Sequence, residues 1–159
     1  MTAPELLDRV RADRAAWDAL LAQIGEARMS DPGVDGNWSL KDIIAHITFF
    51  EREMIGLVRQ RALRGSELWQ LAQTARNDVI FQQNRDRALR DVLDEARAIY
   101  SQLGAALATL SDDDLDDARR FAEMPVEWQP WQIIADNTYE HYRAHIPAVR
   151  AWLAARETR

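Results

Sequence analysis

Apolar residues recur at helical spacing over four long segments, and this pattern limits the fold more than any other feature of the chain. The spacing predicts helices over about residues 4–29, 40–63, 78–109 and 131–155, with the polar residues 82–87 as an alternative, looser lead-in to the third helix. In the first segment the predicted buried stripe consists of Leu6, Val10, Trp17, Leu20, Leu21 and Ile24. Asp13 and Arg14 are expected to lie off that stripe. Runs of Val, Ile and Thr are few, so strands are not predicted.

Local signals set several of the helix boundaries. Ser39 followed three residues later by Asp42 resembles a capping box and predicts that the second helix starts at Leu40. Trp38 stands where it can pack back onto the first turn of that helix. Pro147 lies inside the last segment, and we expect it to kink the helix there because it cannot donate a backbone hydrogen bond.

Two segments between the helices have no clear period. Residues 65–80 are predicted to be a connector with a short helix near residues 67–75. Residues 116–130 are predicted to be irregular. Their many apolar side chains suggest that they pack over the mouth of the bundle, where we expect them to wall a pocket together with Trp38. The whole pattern predicts an all-α fold, a four-helix bundle with a long irregular segment before the last helix, as a single domain over residues 1–159.

Composition excludes several classes of function. The net charge of −6 opposes nucleic-acid binding. No apolar run approaches the roughly 18 residues of a membrane span, and the acidic start of the chain does not resemble a secretory signal. We therefore expect a cytoplasmic protein with no membrane partner. Cysteine is absent, which leaves no thiolate for catalysis or metal binding.

The three histidines of the chain have a spacing that is typical of a metal site. His141 and His145 are four residues apart, which places both on one face of the last helix. His46 falls on or beside the buried face of the second helix when each residue is stepped by about 100°. Three imidazoles with one position left open are the pattern of a catalytic divalent ion, for which zinc, nickel, iron and manganese are all candidates. The alternative is that these histidines are ordinary core or surface residues.

Other side chains near the predicted site have candidate roles. Glu53 lies two helical turns after His46 and Asn137 one turn before His141, so either could orient an imidazole or handle a proton. For Glu53 a surface ion pair is the competing interpretation. Trp38, Phe50 and Thr138 are the candidate pocket residues.

Two motifs resemble a known superfamily. Trp38-Ser-Leu-Lys-Asp-Ile-Ile-Ala-His46 is similar to the W-S-x-x-D-x-x-x-H entry to the second helix of DinB/YfiT-like proteins, and His141-x-x-x-His145 is similar to the rest of their metal triad. The segment around residues 137–146 further resembles the DfsB-like and colibactin self-protection branch. The resemblance implies a bundle in up-down-down-up order, a divalent ion on His46, His141 and His145, and a homodimer as one assembly open to the chain.

The resemblance also implies a class of chemistry. Relatives include thiol-dependent enzymes, such as mycothiol-dependent maleylpyruvate isomerase and bacillithiol transferases, and a hydrolase that opens a reactive cyclopropane. The first hypothesis is therefore a metal-dependent enzyme that acts on a small electrophilic or toxic molecule by hydrolysis or thiol transfer, with a low-molecular-weight thiol as a further cofactor in the second case. One alternative is a bundle that binds and sequesters a small molecule without turnover, with a metal that is structural or absent. The other is a stress-response protein whose function is dimerisation.

Overall fold

A computed structural model describes residues 1–157, so the last two residues of the predicted domain lie outside the description. Seven α-helices form within that range, and the described chain contains two isolated backbone bridges but no strand. The helices are α1 (Ala3–Ile24), α2 (Leu40–Gln60), α3 (Gln73–Asn84), α4 (Leu89–Leu107), α5 (Asp112–Asp116), α6 (Pro130–Asp136) and α7 (Tyr139–Glu157). Over residues 1–157, none of them has both the length and the apolar character that a membrane crossing requires.

The four long helices α1, α2, α4 and α7 run in up-down-down-up order, which specific contacts establish. The ammonium of Lys41, at the start of α2, bonds carbonyls just before the start of α4, so these two helices are parallel. Asp13 in the middle of α1 pairs with Arg143 early in α7, while Asp31, beyond the end of α1, pairs with Arg156 near the end of α7. These contacts make α1 and α7 parallel to each other. The amide of Lys41 donates to the carbonyl of Met29, just beyond the end of α1, so α2 starts at that end and runs in the opposite direction to α1. The predicted all-α bundle is therefore confirmed.

The capping box that was predicted at the start of α2 is present. The amide of Asp42 donates to Ser39 Oγ at 3.2 Å, and the amide of Ser39 donates to Asp42 Oδ2 at 2.8 Å. The first two helices end several residues earlier than predicted. α1 ends at Ile24 because Gly25 adopts a φ of +78°, and α2 ends at Gln60 because Arg61 adopts a left-handed φ of +50°.

The prediction of one continuous helix over residues 78–109 is wrong, because the chain turns between α3 and α4. The residues at the turn carry no apolar stripe that could pack the helix through it. The side-chain amide of Asn84, the last residue of α3, donates to the carbonyl of Ile80 at 2.7 Å. Lys41 Nζ donates hydrogen bonds to the carbonyls of Arg85 and Arg87, at 2.6 and 2.9 Å. The only lysine of the chain thus stabilises a break that local propensity does not show.

Replacement of Lys41 by methionine should lower the free energy of unfolding by about 1.5–3 kcal/mol, because two part-buried carbonyls lose a charged donor. The side chain is only 8% exposed, so water cannot fully replace it. Urea unfolding monitored by circular dichroism measures the change. Arg90→Met, on the exposed surface of α4, is the matched control and should change stability by less than about 0.5 kcal/mol. Equal losses in the two variants would contradict this role for Lys41.

The last predicted helix is also divided, but not where it was expected to kink. The break lies at Asn137 and Thr138, between α6 and α7, whereas α7 continues through Pro147. Asn137 Nδ2 donates to the carbonyl of Ile133 at 2.7 Å, and Thr138 Oγ1 donates to that of Ile134 at 2.6 Å. Side-chain donors therefore occupy carbonyls at the end of α6, and the chain starts a new helix.

Residues 116–130 lie at the opposite end of α2 from His46, so the prediction that they wall the pocket together with Trp38 is wrong. Leu63 donates to the carbonyl of Ala122, and Ala122 donates to that of Arg61, both at 2.8 Å. These contacts hold the segment beside the end of α2, about 21 Å along the helix axis from His46. Phe121 and Met124 are buried in the core there, whereas Val126 and Trp128 are exposed.

Candidate metal centre

The three histidines, which are far apart in sequence, come together between α2 and α7. One ring nitrogen from each of His46, His141 and His145 lies within 4.8 Å of the other two. The ring centroids are 4.8 to 5.2 Å apart. Within residues 1–157 this is the only group of three or more histidine, aspartate or glutamate side chains with such spacing. The structure thus brings together all three residues that were predicted as ligands.

Local structure explains how each imidazole reaches the same point. The capping box starts α2 at Leu40, which places His46 two turns into the helix and on its buried side, at 5% exposure. The break at Thr138 starts α7 at Tyr139, two residues before His141, and the spacing of four residues then places His145 on the same face of the helix. The geometry depends on the helix starts as much as on the histidines themselves.

Burial keeps the three imidazoles neutral near pH 7. Loss of hydration lowers the pKa of His46 to about 3 and that of His141 to about 2, and mutual repulsion among the rings acts in the same direction. Burial also lowers the pKa of His145, which the negative charge of Asp35 partly offsets. A neutral imidazole carries the lone pair that a metal ion needs.

The donor set fits a divalent ion. The Nε2 atoms of His46 and His141 face each other at 2.9 Å. Two lone pairs at that distance repel each other unless a proton or a cation lies between them. With three neutral nitrogens and no thiolate, the group suits a borderline ion such as zinc, nickel or iron. The buried Nδ1 atoms of His46 and His141 have no hydrogen-bond partner among residues 1–157, so no described protein group competes with an ion by fixing the rings in another tautomer.

Comparison with known proteins gives the family. The profile of the mycothiol maleylpyruvate isomerase N-terminal domain matches residues 10–156, which is nearly the whole chain. The chain belongs to this family. The family is part of the DinB/YfiT-like superfamily, which the sequence motifs had indicated. Placement in the DfsB-like branch stays a prediction.

A solved structure shows the same fold. The crystal structure of an uncharacterised protein from Escherichia coli UTI89 superimposes with a TM-score of 0.81, covering 98% of this chain and 95% of the other. The two sequences are 15% identical, so the likeness extends to the fold alone. No protein of the curated set matches the chain in sequence.

Aromatic side chains surround the histidines of this family member. Of the three predicted pocket residues, Trp38 and Phe50 contact the His46 ring edge-on, with centroid distances of 5.3 and 4.9 Å. Thr138 is fully buried, and its hydroxyl bonds the carbonyl of Ile134, so no contact places it in the pocket. Sequence reasoning missed Phe81, which stacks on Trp38 at 5.7 Å, and Trp69, which meets Phe50 at 6.0 Å. Trp69 lies in the connector before α3, and Phe81 lies in α3. No local sequence pattern indicates that these two segments pack against α2.

Glu53 and Asn137 do not contact the imidazoles through any hydrogen bond found in residues 1–157. Glu53 Oε2 accepts from the amide of Ser66 at 2.7 Å and so holds the connector against α2. The side-chain amide of Asn137 donates instead to the carbonyl of Ile133 in α6. The competing interpretation of Glu53 as an exposed ion pair is also wrong, since Glu53 is 9% exposed. The carboxylate whose charge does reach the site is Asp35, in the turn before α2.

A buried network next to the site fixes α7 against α1 and α2. Glu51 is fully buried, and its Oε1 accepts from the Tyr142 hydroxyl and, at 3.4 Å, from Arg14 Nη1. Arg14 also pairs with Asp18 at 2.8 Å and lies over the Tyr100 ring at 4.2 Å. The placement of Arg14 off the buried stripe is therefore wrong. Because Tyr142 follows His141 directly, the network helps to set the rotation of α7 that presents the histidines.

The charge of Glu51 should make stability depend on pH. Burial raises its pKa from 4.5 to about 6, because lost hydration outweighs the attraction of Arg14 and the Tyr142 hydrogen bond. The folded state therefore binds the proton more tightly than the unfolded state. The resulting stability is full below pH 4.5 and is lost as the pH rises through 6, which amounts to about 2 kcal/mol.

Urea unfolding of chelated wild type and Glu51→Gln at several pH values between 4 and 8 measures this contribution. The difference between the two proteins cancels the titration of the histidines. We expect wild type to lose about 2 kcal/mol relative to Glu51→Gln over this range. A difference that stays constant with pH would contradict the raised pKa.

Proposed function

We propose that this protein is a divalent-metal-dependent enzyme that acts on a small electrophilic or toxic molecule, by hydrolysis or by thiol transfer. His46, His141 and His145 would hold the ion. The observation that carries the proposal is the convergence of three neutral imidazole nitrogens within 4.8 Å in a partly buried, aromatic-walled site. We also propose, as partners and location, a small-molecule substrate, no nucleic acid and the cytoplasm, with a homodimer as the assembly to test.

The bound ion would supply Lewis acidity at its open position, lowering the pKa of a water or thiol or polarising a substrate oxygen. Three protein ligands suit this role, because structural zinc sites usually close their shell with four.

The protein's own residues would position the substrate and control water. Trp38 and Phe50 border His46 and offer apolar ring edges to a small molecule, and Trp69 and Phe81 extend that wall. Exclusion of water strengthens every electrostatic interaction inside the site. The negative charge of Asp35 near His145 favours a cation there.

A thiol cosubstrate is the finer part of the proposal. The family takes its name from mycothiol maleylpyruvate isomerase, which supports mycothiol as the first thiol to test. The chain has no cysteine of its own, so thiol chemistry would need a low-molecular-weight thiol from solution.

Turnover assays test the proposal. Protein loaded separately with zinc, nickel, iron or manganese would be mixed with an electrophilic substrate, with and without mycothiol, and with a strained cyclopropane. We expect turnover with at least one ion, its loss on chelation, and its loss in His46→Ala. Glu140→Ala, next to the site but paired with Arg143 on the surface, should keep full turnover. Metal binding with turnover at background throughout would favour the sequestering alternative, and equal turnover after chelation would reject the metal-dependent mechanism.

A further inference from the structure

A second cavity lies away from the histidines, between α1, α2 and α4. It has a volume of about 520 Å³, which is in the range of small-molecule sites. No histidine lines it, and Glu51 on its wall lies about 140° around α2 from His46. Much of the wall is apolar and is formed by Trp17, Leu21, Ile44, Ile47, Leu93 and Ala96.

Glu51, which lines this cavity, leaves one carboxylate oxygen without a hydrogen bond. Its side chain is fully buried and lines the cavity. Oε1 receives both Tyr142 and Arg14, whereas the buried Oε2 has no hydrogen-bond partner among residues 1–157. A buried carboxylate oxygen without a donor is costly, so a ligand that donates to it gains binding energy.

The charges that line the cavity favour a cation. Its charged side chains are the acids Asp18, Glu26 and Glu51 and the basic residues Arg14 and Arg97, which leaves one negative charge in excess. Arg14 is already shared between two carboxylates, Asp18 and Glu51. A single guanidinium therefore neutralises only one of the two, and a monovalent cation would balance the other.

We propose that this cavity binds a small monovalent amine with an apolar body. The ammonium group donates to Glu51 Oε2, and the apolar body packs against the wall that includes Trp17 and Ile44. The site is independent of the proposed metal centre.

Calorimetric titration of the chelated full chain with phenethylamine tests the chemistry of the ligand. Phenethyl alcohol and phenylacetate are matched neutral and anionic probes. We expect the amine to bind at least about tenfold more tightly than either, since a charged hydrogen bond is formed only with the amine. Equal binding of amine and alcohol, no measurable binding of the amine, or tighter binding of phenylacetate would overturn the proposal.

Three variants locate the binding site. Glu51→Gln should remove the preference for the amine over the alcohol while circular dichroism shows a folded protein. Ala22→Trp places a large ring on an exposed residue of α1 that lines the cavity, and it should weaken the amine at least about tenfold. Ala19→Trp, also exposed on α1 but outside this cavity, is the control and should bind as wild type does.

The outcomes remain decisive if Glu51→Gln does not fold, because the two alanine variants change only exposed positions. Equal affinities in Ala22→Trp and Ala19→Trp would reject this cavity as the site. His46→Ala should keep the amine affinity of wild type, which separates a failure of this proposal from a failure of the metal site. Loss of amine binding in His46→Ala would place the amine at the histidines and overturn the proposal.

Discussion

Replacement of Arg14 by methionine should lower the free energy of unfolding by about 2–3 kcal/mol at pH 7, which is one of the largest single effects expected in this protein. The change leaves the Glu51 carboxylate fully buried with the Tyr142 hydroxyl as its only described donor. It also removes the guanidinium from the Tyr100 ring. Protonation of Glu51 limits the part of the loss that comes from its charge, because a buried carboxyl with a pKa of about 6 is neutralised at pH 7 for only about 1.4 kcal/mol.

Urea unfolding of the chelated protein measures this loss and separates its causes. The loss should shrink as the pH falls towards 5, where the carboxyl protonates more easily. The double variant Arg14→Met/Glu51→Gln should recover at least about half of the loss, because no buried charge remains. Arg11→Met, on the exposed side of α1, is the control and should cost less than about 0.5 kcal/mol. A loss of under about 1 kcal/mol in Arg14→Met would show that the buried pair is not important for stability.

Replacement of His141 by alanine should weaken the binding of a divalent ion at least about 100-fold. It removes one of only three candidate ligands, and even the loss of a group that merely orients a ligand typically costs about 10–100-fold. Competition against a fluorescent zinc chelator measures the affinity. Glu140→Ala is the neighbouring control and should bind the ion as wild type does.

The same change should affect the loaded protein more than the chelated one. An ion present at about 100 times its dissociation constant stabilises wild type by about 2.7 kcal/mol, and the variant loses that increment. In the chelated protein only a partly exposed neutral ring is lost. Equal destabilisation with and without metal would show that the histidine is structural, as would an affinity within about threefold of wild type.

Much of the fold follows from local patterns in the sequence, and the failures have a common physical cause. The start of α2 was correctly predicted because the side chains of Ser39 and Asp42 each accept a hydrogen bond from the other residue's backbone amide, within one turn of the helix. The break before α4 was missed because Lys41 stabilises it from 44 residues away. The break at residues 137–138 relies on side chains that bond the preceding carbonyls, an arrangement that competes closely with a continuous helix.

The candidate site shows the same division between local and distant information. Helix phasing indicated the inner face for His141 and His145, but their meeting with His46 depends on the contact of α2 with α7, for which the family resemblance was the only guide. Arg14 was expected to lie off the buried stripe, although its distance of four residues from Val10 and three from Trp17 continues that stripe. Glu51 likewise follows Ile47 by four residues. A charge inside an apolar row was the available signal for the buried network.

The metal content of the purified protein tests the central claim most directly. Protein prepared without chelators would be analysed by elemental mass spectrometry, alongside His46→Ala, His141→Ala, His145→Ala and the control Glu140→Ala. We expect about one divalent ion per chain in wild type and in the control, and a small fraction of that in each histidine variant. Wild type without a divalent ion after reconstitution, or histidine variants that hold as much as wild type, would contradict a metal centre at these three residues.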